Sequence, residues 1–209
     1  MINSKNTVES FRYSVLISGT ARSGKDFLTQ SFIKQFAANG ILARRYAFAD
    51  ELKRQLDPLL LLNLDISAFT EQAEEKKLIR PILLAWGQIC RNIDPDHWVK
   101  GVAKKIKDFY KPHIAIISDV RYLNEFEYFS GEKKLLHVTR LDDNGNPFPP
   151  VGVDEEKNDP ILIAAAEKRI ICEDFHENSE KLAIIGKQFF YEVFGDQLED
   201  LRAKYPIQL

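Results

Sequence analysis

The sequence is short of the residues on which several classes of chemistry depend. It holds two cysteines, Cys90 and Cys172, far apart and with no second cysteine near either. That argues against a disulfide framework and against a C-x-x-C metal or redox motif, and both thiols read as small buried apolar groups. The four histidines, His97, His113, His137 and His176, show no metal-ligand spacing and no Ser-His-Asp or Cys-His order, so each reads as structural. Long apolar runs are missing as well. Even "LDPLLLLNLDI" is short and interrupted, well below the roughly 20 residues that a membrane-spanning helix needs. Charge of one sign is not in excess: 29 Lys and Arg stand against 31 Asp and Glu, a formal charge of −2. A nucleic-acid polymer is therefore not the expected partner, since bulk electrostatic binding needs a concentrated basic surface. The polar start "MINSKNTVES" does not read as a signal peptide, and the expected location is the cytoplasm.

What is present is an alternation of strands and helices over 209 residues, a length expected to form a single domain spanning residues 1–209. The first ten residues are polar and are expected to fray. "YSVLISG" reads as a β-rich run ending in glycine. "KDFLTQSFIKQFAANG" has Phe27, Leu28, Phe32, Ile33 and Phe36 at helical spacing, with Gly40 where a C-terminal cap belongs. "ILARRYAFAD" reads as a second strand and "ELKRQLDPLLLLNL" as a helix. "TEQAEEKKLIRPILLAWGQICRNI" reads as a long helix or a broken pair, Pro81 marking a start or kink. In "PDHWVKGVAKKIKDFYK", Val99, Val102, Ala103 and Ile106 lie on one side and lysines on the other. "HIAIISDVR" and "KLLHVTR" read as strands with "YLNEFEYFSG" as a helix between them, and "RIICEDF" and the stretch to Tyr205 supply a last strand and helix. Continuous apolar strands alternating with helices predict an α/β fold with a mostly parallel central sheet. The stretch 141–160, "LDDNGNPFPPVGVDEEKNDP", breaks all periodicity and reads as a mobile, functional loop.

The most informative stretch is "GTARSGKD", residues 19–26. A phosphate-binding loop follows G-x-x-x-x-G-K-[ST] between a strand and a helix. Its backbone N–H groups cradle phosphates, its lysine reaches the terminal ones and its hydroxyl holds Mg²⁺. Gly19, Gly24 and Lys25 keep that spacing and that context, but Asp26 stands where the hydroxyl belongs. Either the loop is degenerate or a carboxylate has taken over the metal duty. In "AIISD", Asp119 falls at the carboxyl end of a buried strand, where ligands gather in such sheets, with Arg121 two residues on. This matches the second acidic position of phosphate-binding-loop enzymes, although an Asp capping the next helix and paired to an Arg would leave the same trace. Arg22, Arg80, Arg91, Arg121 and Arg140 supply guanidinium groups suited to bidentate phosphate recognition. Trp86 and Trp98 read as core or pocket wall, either able to stack on a base.

The segments "SGTARSGKD", "FADELKRQL", "LLAWGQICRNIDPDHWVKGVAKKI" and "IAIISDVRYLNEFEYF" resemble the deoxynucleoside monophosphate kinases of large tailed bacteriophages and their bacterial relatives. They are also similar to animal-type phosphomevalonate kinase, which shares the S-G-K-D loop, the D-P segment and the S-D-x-R strand. The resemblance covers about residues 15–185 and implies a P-loop NTPase-like, three-layer fold with a lid over approximately 141–160. In these families an aspartate stands at the position of Asp26. The resemblance implies that Gly19, Thr20, Ala21, Arg22, Ser23, Gly24, Lys25, Asp26 and Phe27 bind ATP, with Arg140 beginning the lid. It implies Mg²⁺ as cofactor, held by Asp26 and Asp119, and a nucleoside monophosphate held by Arg80, Gly87, Trp98, Asp119, Arg121 and Glu125. Lys25, Arg22, Asp26 and Arg121 would carry catalysis, and a homodimer is compatible with this reading. The phage enzymes have a lysine where Ala21 stands and an insertion before the arginine helix that this chain lacks. Two alternatives stay open: another phosphorylated acceptor such as phosphomevalonate, or a protein that binds ATP and transfers nothing.

Overall fold

The computed structural model describes residues 13–172 and 179–207. The polar start expected to fray, the end of "RIICEDF" beyond Cys172, and His176 lie outside the described residues. In chain order the elements are β1 (Tyr13–Ser18), α1 (Lys25–Ala38), β2 (Ala43–Tyr46), α2 (Phe48–Leu64), α3 (Ala73–Ile93), α4 (His97–Asp108) and β3 (Ile114–Val120). There follow α5 (Leu123–Glu127), β4 (Glu132–Arg140), α6 (Val153–Ala165), β5 (Lys168–Cys172), α7 (Ser179–Phe194) and, after a 3₁₀ turn, α8 (Leu198–Lys204). The described residues group into two compact units, 13–45 with 109–172 and 179–207, and 46–108.

The first unit is built on a five-stranded sheet of order β2-β3-β1-β4-β5. β1 is parallel to both neighbours, Val15 lying opposite Ile116 on β3 and Lys134 on β4, and β4 is parallel to β5. Every residue of β1 is buried, and Val15, Leu16 and Ile17 are wholly so. That is the burial a parallel sheet covered on both faces requires, and it explains the continuous apolar runs in the sequence. Side chains alternate between the two faces. Val15, Ile17, Ile116, Leu136, Val138 and Ile170 share one core with Phe32 and Phe36 of α1, Phe190 and Phe194 of α7, and Leu201 of α8. The four phenylalanine rings meet mostly edge to face at centroid distances of 4.8–5.8 Å. Removing one such ring costs about 3–5 kcal/mol. On the opposite face of β4, buried His137 meets Asp159 of α6. The α/β class and the three layers expected from the sequence are therefore present.

The second unit is helical. Leu56, Leu60, Ala68 and Ile79 form its core, with Leu52, Ile66, Leu83 and Trp86 packed against them. Val99, Val102, Ala103 and Ile106 are on the buried side of α4, as their spacing predicts, and Trp98 is buried as well. α3 is one 21-residue helix that runs through Pro81.

The stretch 141–160 differs from its reading as a loop. Its first part is an ordered turn, in which the Asp142 carboxylate accepts N–H bonds from Asn144 and Asn146 at 2.9 and 2.8 Å. From Val153 onward the chain is α-helix. Asp154, Glu155 and Glu156 place negative charge at the positive end of the helix dipole, which favours a start there. Pro160, inside the helix, hides it from a reading that treats proline as a breaker.

Candidate active site

The order of strands reverses about β1, and the loop that leaves β1 sits at that switch point, where parallel sheets collect ligands. Its backbone is held in conformations that few residues adopt. Gly19 has φ +138°, and a Cβ there would stand 2.3 Å from the Val138 carbonyl oxygen of β4. Gly24, with φ 96°, is the left-handed N-cap of α1, and Arg22 is left-handed as well at φ 65°. For a residue with a side chain that conformation costs on the order of 1–3 kcal/mol, strain of a kind that concentrates at functional sites. Left-handed turns just before a helix N-terminus are the backbone conformation in which successive N–H groups can be presented to an anion. Thr20 and Ser23 are buried within the loop, Ala21 and Gly24 are partly exposed, and Arg22 and Asp26 are exposed.

Lys25 opens α1 and folds back over the loop, its Nζ donating to the Gly19 carbonyl at 2.8 Å, the Thr20 carbonyl at 2.6 Å and Ser23 Oγ at 3.4 Å. Burial, and after it the neighbouring Arg121, pull its pKa below the usual lysine value, while Glu155, Asp26 and Asp119 act in the other direction. Asp26, Asp119, Arg121 and Glu155 thus lie within electrostatic reach of Lys25. Asp119 is half-buried near the end of β3, and the Arg121 side chain just beyond is 53% exposed. Glu125 is buried, and its carboxylate accepts the backbone N–H groups of Arg121 at 2.7 Å and Tyr122 at 3.1 Å. It fixes the turn from which Arg121 projects. Arg140 at the end of β4 reaches the Arg22 carbonyl at 3.4 Å and lies over the Phe148 ring, 4.8 Å from its centroid. Phe27 is half-buried on α1.

Arg80, Gly87 and Trp98 belong to the second unit. Arg80 is exposed. Gly87 is buried, with the position of a Cβ 2.9 Å from Leu52 Cδ1. Trp98, 2% exposed, donates its indole N–H to the Gly87 carbonyl at 3.2 Å, so these two form a packing pair. Trp86 is the more accessible indole, its N–H donated to Gln55 Oε1 at 3.0 Å.

One site residue gave no signal in the sequence. Glu155, in the first turn of α6, accepts the Ala21 N–H of the loop at 3.3 Å and the Val151 N–H at 3.1 Å through Oε2. Its Oε1 lies 3.8 Å from Arg121 Nη1. The histidines read as structural: His113 is buried with Nδ1 on the Lys111 carbonyl, its pKa pushed below the usual histidine value by burial against the opposing effect of that bond, and His97 packs edge-on against Trp98. Both cysteines are buried, and burial raises the Cys172 thiol to about 11. Among the described residues no helix is long and apolar enough to cross a membrane, and no three His, Cys, Asp or Glu side chains cluster as a metal site.

No curated protein matches the chain in sequence. Among solved structures it is similar to shikimate kinase from Acinetobacter baumannii in complex with shikimate, at 10% identity over 88% of this chain and 94% of that one, TM-score 0.41. It is also similar to shikimate kinase from Aquifex aeolicus, at 11% identity over 88% and 98%, TM-score 0.42. A gluconokinase from Sinorhizobium meliloti matches at 10% identity over 90% and 99%, TM-score 0.39. The model of the phosphomevalonate kinase family matches residues 17–135, more than half of the chain, and takes in the loop, Lys25, Asp26, Asp119, Arg121 and Glu125. The protein accordingly belongs to the phosphomevalonate kinase family, and is a kinase of the phosphate-binding-loop type.

Proposed function

We propose that the protein moves the γ-phosphoryl group of ATP onto a phosphorylated small molecule, and that this acceptor is a (deoxy)nucleoside monophosphate, converted to the diphosphate. The observation that carries the reading is a strained loop with Lys25 folded over it and Asp26, Asp119 and Arg121 within electrostatic reach of that lysine. The segments shared with the phage kinases support the nucleotide acceptor.

In this mechanism the residues do little covalent work, because phosphoryl transfer needs chiefly alignment and charge neutralisation. The loop N–H groups hold the ATP phosphates. Lys25 exchanges the Gly19 and Thr20 carbonyls for phosphate oxygens, which its present bonds make a short movement. Arg121, braced by Glu125, holds the acceptor phosphate. Asp26 and Asp119 would hold Mg²⁺: both carboxylates lie within electrostatic reach of Lys25, and the ion prefers one or two carboxylates together with phosphate oxygens and water. When bound, Mg²⁺ would offset charge on the transferred group. The segment 141–160, with α6, acts as the lid that excludes water. The chain works as a single kinase domain in the cytoplasm, and a homodimer is compatible with it.

The family match favours a second reading, in which the acceptor is phosphomevalonate. Incubation with Mg·ATP and a panel of nucleoside monophosphates and phosphomevalonate separates the two. ADP release with one or more nucleoside monophosphates is the expected result, and release with phosphomevalonate alone would replace the nucleotide reading with the second. ATP binding without turnover on any acceptor would point instead to a non-catalytic binder.

A further inference from the structure

Glu155 holds two groups that the proposed reaction needs elsewhere. Its Oε2 takes the Ala21 N–H, one of the cradle donors, and its Oε1 faces Arg121 at 3.8 Å. The side chain is only 13% exposed, so its charge is weakly screened. In its position and partners the carboxylate stands in for a phosphate. Simple capping of α6 does not explain this arrangement. The Val151 N–H at 3.1 Å would satisfy a local cap, whereas Ala21 is 134 residues away in sequence and Arg121 belongs to the turn after β3.

We infer that Glu155 couples donor and acceptor binding, because one carboxylate must leave both half-sites before either phosphate can take its full set of contacts. The inference rests on the reading that the loop binds ATP phosphates and that Arg121 binds the acceptor phosphate. A phosphate arriving in the cradle competes for the Ala21 N–H and repels the carboxylate, which loosens its hold on Arg121. An acceptor phosphate arriving at Arg121 removes the cation opposite Oε1, which loosens the hold on the cradle. Whichever ligand binds first displaces Glu155 and the start of α6 with it, and the second meets a site already vacated. Linkage makes this effect equal in both directions, and couplings of this type change affinity roughly 5- to 150-fold. The device also disfavours hydrolysis, since ATP alone binds against the competing carboxylate.

The test is calorimetric titration of the full-length protein with Mg·AMP-PNP, alone and in the presence of saturating dTMP or, in a parallel arm, phosphomevalonate. Wild-type protein is expected to bind Mg·AMP-PNP at least fivefold more tightly when one of the two acceptors is present. Glu155→Gln keeps an oxygen acceptor for the N–H groups but removes the charge. It is expected to bind Mg·AMP-PNP more tightly than wild type without acceptor and to show less than twofold coupling with it. Glu156→Gln, one residue along and exposed, is expected to behave as wild type. Equal binary affinity and equal coupling in wild type and Glu155→Gln would overturn the inference, as would the same change in Glu156→Gln or the absence of coupling in wild type. Failure of wild type and Glu155→Gln alike to bind Mg·AMP-PNP would overturn the donor-site reading, and the inference with it.

Discussion

His137 of β4 and Asp159 of α6 are joined Nε2 to Oδ1 at 3.0 Å, at the end of a chain of polar contacts. Arg169 Nε donates to Thr139 Oγ1 at 3.0 Å, Thr139 Oγ1 lies 3.2 Å from His137 Nδ1, and His137 Nε2 donates to the Asp159 carboxylate. The helix that carries Glu155 is thereby tied to the strand that ends in Arg140. Asp159→Ala leaves a buried ring N–H without its partner and is expected to lower stability by about 1–3 kcal/mol, while Asp159→Asn, which retains an acceptor oxygen, loses less. Urea denaturation with an unchanged midpoint in Asp159→Ala would show that the contact contributes nothing.

Gly19 is under two constraints at once, a φ of +138° and a carbonyl oxygen 2.3 Å from where a Cβ would stand. Gly19→Ala must shift either the loop or β4. A stability loss on the order of 1–3 kcal/mol is expected from backbone strain of this kind. Mg·AMP-PNP binding to the folded fraction should weaken by at least about tenfold, the consequence of 1.4 kcal/mol of lost complementarity. Wild-type affinity in folded Gly19→Ala would mean that the loop does not shape the donor site.

Asp26 takes the place of a hydroxyl, and its charge is what distinguishes it. Asp26→Asn nearly conserves size, so the backbone cradle and Lys25 should still bind ATP while transition-state neutralisation suffers. The expected loss in kcat is roughly a hundredfold or more, with a raised Mg²⁺ requirement, the scale on which a single preorganised electrostatic group acts. Asp26→Ser restores the common loop pattern and should retain part of the activity. Steady-state rates against Mg²⁺ concentration measure both, and an unaltered Asp26→Asn would move the metal site to Asp119.

Beneath the loop, α7 crosses α1 at Gly186, where a Cβ would stand 2.2 Å from Ser31 Oγ, 2.7 Å from Ser31 Cβ and 3.2 Å from Phe27 Cζ. Gly186→Ala gains about 1 kcal/mol of helix propensity. Overpacking in a close crossing costs typically 1–3 kcal/mol, and the contact with Ser31 Cβ cannot be relieved by a rotamer change. The variant is expected to be less stable than wild type, and Ser31→Gly is expected to recover part of the loss in the double mutant. A Gly186→Ala protein more stable than wild type in thermal denaturation would show that the helices separate freely.

The loop was legible in the sequence because its physics is local: two glycines at fixed spacing, a lysine, and a strand and helix on either side. Asp119 and Arg121 were legible for a related reason, since a continuous apolar strand shows where its carboxyl end falls. Glu155 was not. An acidic residue among Asp154 and Glu156 has the same local pattern whether it faces water or reaches a loop 134 residues away. Pro160 compounded this by hiding the helix to which Glu155 belongs. The helical unit was equally silent, because the periodicity of α2, α3 and α4 is the same whether they cover a sheet or pack on each other, as Leu56, Leu60 and Ile79 do.

The central claim is phosphoryl transfer from ATP at the loop to an acceptor phosphate, and ³¹P nuclear magnetic resonance of the reaction follows it directly. With Mg·ATP and a mixture of nucleoside monophosphates, wild-type protein should convert a monophosphate resonance into the paired resonances of a diphosphate as ATP becomes ADP, with little inorganic phosphate, and Lys25→Met should not. ADP and inorganic phosphate appearing together at a rate that no acceptor changes, neither a monophosphate in the mixture nor phosphomevalonate, would contradict the account.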